Sequence, residues 1–184
     1  MKKFLVALIC LLVLTVGSTF AQDVTYNFDK STDFSKFKTY KWVAIKGAQK
    51  LDTLADKQIR DAIDAELSKK GLTKTDAETA DLYIGYQPSL GEEKQLTTYN
   101  TGWGYGPGWG YGYPGSMGSS TSQTTTILIG QLALDMYDSA NHDLVWRGIA
   151  SKTLDPQAKP EKREKNIQKA AAKLLKNYPP PKKD

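Results

Sequence analysis

Residues 124–154 constrain the fold more than any other stretch, because they form the strongest β-strand pattern in the chain. The first run, residues 127–137, is apolar on both strand parities, with Leu128, Leu132, Leu134 and Met136 on one and Ile127, Ile129, Ala133 and Tyr137 on the other. A polar turn at 138–143 leads to a second apolar run at 144–150. The pattern predicts a central strand covered on one face and half covered on the other, followed by a hairpin partner.

Two stretches carry the periodicity of amphipathic helices. In residues 51–70, apolar side chains recur every four residues, at Ala55, Ile59, Ile63 and Leu67. In residues 161–178, the stripe consists of Ile167, Ala170, Ala171, Leu174 and Tyr178. Asp52 or Thr53 can cap the first helix, and Pro160 suits the first position of the second. We interpret the charged face of each helix as solvated.

Four further strands are predicted, at residues 24–28, 39–45, 81–86 and 92–100, and Pro88 is expected to close the third of them. Helices separated from a meandering set of strands favour the α+β class. We therefore predict an antiparallel sheet with two helices packed on one face, built from residues 22–178 as a single domain. Residues 179–184, which open with three prolines, are expected to form a disordered tail.

The first 21 residues resemble a cleaved signal peptide. Lys2 and Lys3 precede an apolar run at 4–16, and residues 19–21 form a small-x-small cleavage site. The apolar run is shorter than the ~20 residues that a membrane span needs. Cys10, the single cysteine, lies inside this run after Ile9, which argues against lipidation. We expect an exported, thiol-free protein of the periplasm or the periphery of the outer membrane, with no transmembrane span after cleavage.

Three segments resemble one known family: YNFDKSTDFSKFKTYKW at 26–42, ADLYIGY at 80–86 and LDMYDSANHDLVWRGIA at 134–150. Together with a last helix closing in Tyr-Pro, they are similar to the bacterial DUF4136 family of uncharacterised envelope proteins, many of them lipoproteins. This chain departs from the pattern in lacking a usable lipidation cysteine. The resemblance implies an envelope location and a fold, and it implies no activity for any residue.

Residues 101–120 are the most unusual segment, because glycines alternate with Trp103, Tyr105, Trp109, Tyr111 and Tyr113. No charged residue occurs from Gln95 to Leu134. Aromatic rings on a permissive backbone can stack on sugars or lie at a membrane interface, so we predict a flexible binding loop. The alternative is a disordered low-complexity loop. Single-stranded nucleic acid would need cations among the rings, and a phosphate loop would need a following lysine and helix.

Catalytic signals are weak. His142 is the only histidine, and with Asp135, Asp138 and Asp143 it offers metal ligands within nine residues. A metal-dependent or hydrolytic protein centred on His142 is therefore the alternative function. Ordinary turn residues explain the same cluster, and no nucleophile-elbow or zinc-protease motif is present. We expect no cofactor and no catalysis.

Two further signals concern packing and charge. We expect Trp146 to pack in the core and Arg147 to project from the opposite face toward a carboxylate or solvent.

From Lys159 onward, nine Lys or Arg stand against three Asp or Glu. We interpret these lysines as a solvated helix face, while the basic end could still add a weak, salt-sensitive attraction to anionic envelope polymers. The leading hypothesis is an exported, non-catalytic binding or structural module that contacts membrane, glycan or another envelope protein; its oligomeric state stays open.

Overall fold

In the computed structural model, which describes residues 23–77, 79–100 and 120–181, six strands form one sheet. The strands are β1 (Asp23–Phe28), β2 (Thr39–Trp42), β3 (Thr73–Lys74), β4 (Leu82–Asn100), β5 (Ser120–Asp138) and β6 (Leu144–Leu154). Their order across the sheet is β1-β6-β5-β4-β2-β3. Two helices, α1 (Thr53–Lys69) and α2 (Pro160–Leu174), complete the α+β fold predicted from the sequence.

The sheet is mixed, whereas we predicted antiparallel pairing throughout. β1, β6, β5 and β4 are antiparallel neighbours, but β2 runs parallel to both β3 and β4. The cause is the position of α1 in the chain, between β2 and its two partners. A helix that carries the chain from the end of one strand back to the end of the sheet at which that strand began produces parallel pairing.

Both helices begin as the sequence indicates. The carboxylate of Asp52 accepts hydrogen bonds from the backbone N–H groups of Leu54 and Ala55, at 3.0 and 2.9 Å, and so caps α1. Gly71, with φ of 82°, follows the end of α1. Pro160 occupies the first turn of α2, where its missing N–H has no helical partner to lose.

The core lies between the two helices and one face of the sheet. Ile63 and Leu67 of α1 and Leu174 of α2 are buried against Leu134 and Trp146, as the sequence periodicity predicts. Leu82, Ile84 and Met136 line the same sheet face. Gly148 allows this packing, because an added Cβ would meet the Trp146 ring and would stand 2.8 Å from Leu174 Cδ1.

Pro88 does not close a strand, which corrects the sequence prediction. β4 runs unbroken from Leu82 to Asn100 through Pro88, which pairs with Leu132 of β5. β2 pairs with β4 only from Leu82 to Ile84, so the other edge of β4 is open at Pro88. A proline at an open edge forfeits no hydrogen bond of the sheet.

β4 and β5 are 19 residues long each and pair over their full length, from Leu82 opposite Asp138 to Asn100 opposite Ser120. β6 accompanies β5 only as far as Leu128. Residues 93–100 and 120–127 therefore continue as a two-stranded extension, which we call the ribbon. At 3.3 Å per residue it is about 25 Å long.

The predicted signal peptide and residues 182–184 lie outside the described residues. Tyr178 is buried, and Pro180 after it is buried as well. In the part of the chain that the structure describes, no helix is long and apolar enough to cross a membrane.

Candidate functional site

The ribbon holds the two ends of the predicted binding segment. Asn100 and Ser120, its last paired residues, are the points from which residues 101–119 leave and return. The five predicted binding residues, Trp103, Tyr105, Trp109, Tyr111 and Tyr113, lie outside the described residues. What the structure contributes is the attachment point: the segment is joined to the far end of an extension, about 25 Å beyond the end of β6.

The ribbon leaves the body beside an exposed apolar residue. Leu90 of β4 is 60% exposed and lies at the base of the ribbon, on a shallow depression that it shares with Glu92, Ile129 and Gln131. This depression is too open to enclose a small molecule. The described base of the ribbon therefore forms no deep pocket. Residues 101–119, at the far end of the ribbon, remain the candidate binding residues.

The residues of the alternative site are engaged locally. The His142 ring stacks on Tyr83 at a centroid distance of 5.8 Å, and its backbone N–H donates to the carbonyl of Asp138 at 2.8 Å. Lys36 donates to the Asp138 carboxylate at 2.6 Å. This contact, with the N–H of Ala140, lowers the pKa of Asp138. Asp143 accepts from the side chain of Asn141, within the same turn.

Asp135 lies apart from these residues, on the sheet face that carries no helix. It is fully buried, and Arg147 of β6 binds both of its oxygens at 2.5 and 2.7 Å. Gln87 donates to the same carboxylate at 3.0 Å and the Tyr137 hydroxyl at 3.4 Å. The predicted roles of Arg147 and of Trp146, which is fully buried in the core, are thus confirmed.

The four residues of the alternative site do not converge in a cleft. Asp135 and Asp138 serve separate ion pairs, and His142 and Asp143 are exposed in the turn. Across residues 23–77, 79–100 and 120–181, no three His, Cys, Asp or Glu side chains are grouped as a metal would require. The geometry gives no support to a reaction centred on His142.

Sequence reasoning missed a polar seam between α1 and the sheet. Asp64 of α1 accepts hydrogen bonds from the Tyr40 hydroxyl and the Trp42 indole, each at 2.8 Å. Lys74 of β3 adds an ion pair to the same carboxylate at 3.1 Å. Burial and then Asp64 raise the pKa of Tyr40 well above its usual range. The flank of α1 that carries Asp64 is thus docked on the sheet, contrary to the solvated face that we expected, while Lys57 and Asp61 are exposed.

A second carboxylate extends the seam about two turns of helix further from Lys74. Asp56 accepts a short hydrogen bond from the Tyr86 hydroxyl and an ion pair from Arg60 at 2.9 Å. The Arg60 guanidinium also lies over the Trp42 ring, 4.9 Å from its centroid. Asp56, Arg60 and Asp64 recur every four residues beside the apolar stripe, and this spacing could have revealed the seam. Because its polar groups satisfy one another, the seam stabilises the fold and offers nothing to a ligand.

The family comparison agrees with this architecture. Residues 24–180 match the model of the family described as "Domain of unknown function (DUF4136)". The chain belongs to the DUF4136 family. No curated protein matches the sequence. The DUF4136 assignment therefore confirms the family expected from the sequence motifs and brings no activity with it.

One solved structure shares the fold at low identity, and a second is less similar. A PDZ domain protein from Parabacteroides distasonis is 17% identical, with a TM-score of 0.52 over 99% of this chain and 41% of that chain. The chain thus spans less than half of that protein. A PelC dodecamer from Paraburkholderia phytofirmans is 11% identical, with a TM-score of 0.48 over 84% of this chain and 95% of that chain. The likeness to the first shows the fold alone.

Proposed function

We propose that this DUF4136 domain is an exported, non-catalytic binding module of the cell envelope, and that residues 101–120 are its binding element. The observation that carries the proposal is the ribbon. Two strands of 19 residues each hold the ends of an aromatic, glycine-rich segment. These ends lie about 25 Å along the ribbon from Leu128, the last residue of β5 that pairs with β6.

The ribbon contributes little to the stability of the body. Among the residues whose side chains the structure describes, none between Tyr86 and Leu132 belongs to the core or packs against it. A two-stranded hairpin without a packed face is marginally stable in water. An extension that adds so little to folding is most simply explained by what it positions, namely the five rings of the segment that it supports.

The chemistry of the segment favours contact through ring faces. Trp and Tyr combine a large apolar area with a polar atom, which suits sugar faces and membrane interfaces. Since the chain is uncharged from Gln95 to Leu134, binding through this segment should depend little on salt. Membrane surface, glycan and another envelope protein are the partners that this chemistry admits.

The body supports a binding role more than catalysis. Of its two buried carboxylates, Asp135 accepts from Arg147, Gln87 and Tyr137, and Asp138 accepts from Lys36 and the N–H of Ala140. The carboxylates of the α1 seam are likewise engaged by tyrosine, tryptophan, arginine and lysine side chains. The leader-like first 21 residues support export to the periplasm, where these partner classes are found.

The test is co-sedimentation of the mature protein with outer-membrane vesicles and, separately, with purified cell-wall sacculi, at low and high salt. The variant changes Trp103, Tyr105, Trp109, Tyr111 and Tyr113 to Ser. A matched control changes Thr124, Thr125 and Thr126 of the ribbon to Ser and keeps every ring. In high salt we expect the wild type and the control to stay bound, and the ring variant to bind at least tenfold more weakly.

Two outcomes contradict the proposal. If the ring variant sediments as well as the wild type in high salt, residues 101–120 are not the binding element. If neither membranes nor sacculi retain the wild type, the remaining partner is a protein. A pull-down from envelope extract with the wild type and the ring variant as paired baits then decides, because a partner retained equally by both baits also rejects the segment.

A further inference from the structure

Four lysines gather where α2 passes over the end of β6. Lys152 of β6 donates a hydrogen bond to the side chain of Asn166 of α2 at 2.6 Å. Lys162, Lys169 and Lys173 share the flank of α2 on which Asn166 lies, since steps of four, three and four residues keep side chains on one side of a helix. We call Lys152, Lys162, Lys169 and Lys173 the lysine ledge.

The ledge is a row of positive charges, of which acidic side chains neutralise few. Burial, followed by the charges of Lys169, Lys162 and Lys173, lowers the pKa of Lys152. Lys162 pairs with Asp155 at 3.0 Å, with both side chains at least half exposed. Within the described residues the ledge makes no other ion pair. From Lys162 to Lys173 the row is about 16 Å long at 1.5 Å per residue.

α2 carries two acidic side chains, Glu161 in its first turn and Glu164, and Glu164 faces away from the ledge. Glu164 lines the groove that α2 forms with α1, together with Gln168 of α2 and Glu66 of α1. The ledge lies on the other flank of α2, above β6 and toward the edge strand β1. Glu164 therefore does not neutralise the ledge, and charge complementarity requires a partner that presents several negative charges along a line or across a surface.

Two exposed apolar residues adjoin the ledge. They favour a partner with a negatively charged surface over a linear anionic chain. Leu154 follows Lys152 by two residues, so both project from the same face of β6, and Leu154 is 42% exposed. Tyr26 of the edge strand β1, opposite Gly148 of β6, is 41% exposed on the helix-covered side of the sheet. Lysines beside an exposed aromatic ring and an aliphatic side chain resemble the composition of surfaces that lie in a lipid interface.

We propose that the lysine ledge, with Tyr26 and Leu154 beside it, is a docking surface for a bilayer of anionic phospholipid. The lysines bind lipid phosphates, and the two apolar side chains enter the interface. This surface belongs to the folded body and is separate from residues 101–120. The two surfaces can therefore succeed or fail independently: one predicts salt-insensitive binding and the other salt-sensitive binding.

The expected size of the effect follows from the number of charges. Each lysine near an anionic bilayer raises membrane partitioning about fivefold. Removing the four ledge charges should thus reduce partitioning by about 100-fold or more. Raising the salt should reproduce much of this loss, because the attraction is screened beyond about 8–10 Å at physiological ionic strength.

The test is flotation of the mature protein with vesicles of equal parts phosphatidylglycerol and phosphatidylcholine, compared with vesicles of phosphatidylcholine alone. The ledge variant changes Lys152, Lys162, Lys169 and Lys173 to Gln. A control with the same loss of charge changes Lys30, Lys46, Lys50 and Lys94 to Gln, all of them exposed and away from α2. If Lys152→Gln disturbs folding, the triple variant of the three exposed ledge lysines replaces the quadruple one.

We expect the wild type, the control and the five-ring Ser variant to float with the anionic vesicles, and the ledge variant to remain in solution. The proposal is overturned if the ledge variant and the control lose binding equally, because net charge alone would then explain it. Equal flotation with both vesicle types also overturns it. A final arm adds inorganic polyphosphate: if the protein binds it tightly but floats with neither vesicle, the ledge serves a soluble phosphate polymer and the lipid proposal is wrong.

Discussion

Asp135 is a fully buried carboxylate at the centre of the sheet face that no helix covers. Its solvation is replaced by two contacts from Arg147, one from Gln87 and one from Tyr137. The Arg147 side chain stays 40% exposed, so only one partner of the ion pair has lost its water completely. Such an ion pair stabilises the fold little compared with apolar residues of the same volume. Loss of one member, however, leaves the other charge buried without its partner.

A double-mutant cycle on this pair should show strong coupling. We expect Arg147→Met to destabilise the protein by about 2–4 kcal/mol, since Asp135 then keeps a buried charge with weaker partners. Asp135→Asn should also destabilise, and the double variant should be less destabilised than the sum, by about 1–3 kcal/mol. Urea denaturation of the four proteins measures the coupling.

The exposed pair formed by Lys57 and Asp61, one turn apart on α1, is the natural control for that cycle. Both side chains are more than half exposed, so its coupling should be too small to resolve. Equal coupling in the two cycles would contradict the argument that burial of Asp135 sets the cost.

The clasp between Tyr86 of β4 and Asp56 of α1 ties a helix to the sheet through titratable groups. Burial, and then the hydrogen bond to Asp56, raise the pKa of Tyr86 to about 12. An unfolded tyrosine titrates near pH 10. The folded state thus holds the proton more tightly, and the stabilisation is complete below about pH 10 and is lost as the pH rises toward about 12.

Tyr86→Phe should therefore flatten the fall of the free energy of unfolding between about pH 10 and pH 12. At neutral pH the variant should be about 1–2 kcal/mol less stable, because Asp56 loses its hydroxyl donor. Denaturant titrations at several pH values give both quantities. The control Tyr26→Phe, at an exposed position, should change neither, and an equal change in both variants would contradict the role of the clasp.

What the sequence could predict of these elements depended on whether their pattern was local. The β5–β6 hairpin, α1 and α2 were predictable, because each carries a long apolar period. β3 is two residues long and has no apolar period. The parallel pairing of β2 with β3 and β4 was therefore not predictable. The clasp was missed since a carboxylate beside an apolar stripe is usually solvated, and its tyrosine partner lies 30 residues away.

The same limit applies to the candidate site. The sequence showed a neutral run of aromatic and glycine residues, but it did not show where the fold places this run. The ribbon was not visible, because Pro88 suggested two strands where the structure has one. The choice of Trp103, Tyr105, Trp109, Tyr111 and Tyr113 as binding residues stays a prediction, since they lie outside the described residues.

The protein divides into a body that contains the core and a ribbon whose described side chains belong to none of it. Every described core residue lies in residues 24–86 or 132–178, and the strands between them pair only with each other beyond Leu128. Binding and folding should then be separable. A protein that lacks the binding segment should keep its fold and lose its partner.

Replacement of residues 101–119 by Asn-Gly tests this separation. Asn100 and Ser120 already pair, and a two-residue Asn-Gly loop favours the turn that closes such a hairpin. A shorter loop costs less closure entropy, so the variant should be as stable as the wild type or more stable by up to about 2 kcal/mol. For a domain of this size that is a rise in Tm of at most about 8 °C, measured by calorimetry.

The same variant should sediment with neither outer-membrane vesicles nor sacculi in high salt, while still floating with anionic vesicles in low salt through the lysine ledge. A Tm lowered by more than about 5 °C would mean that residues 101–119 pack on the body, and the division drawn here would be wrong. Unchanged Tm with unchanged sedimentation in high salt would leave the fold as described and remove the binding role of the segment. Because stability and binding are read from one variant, a failure of either statement is assigned without ambiguity.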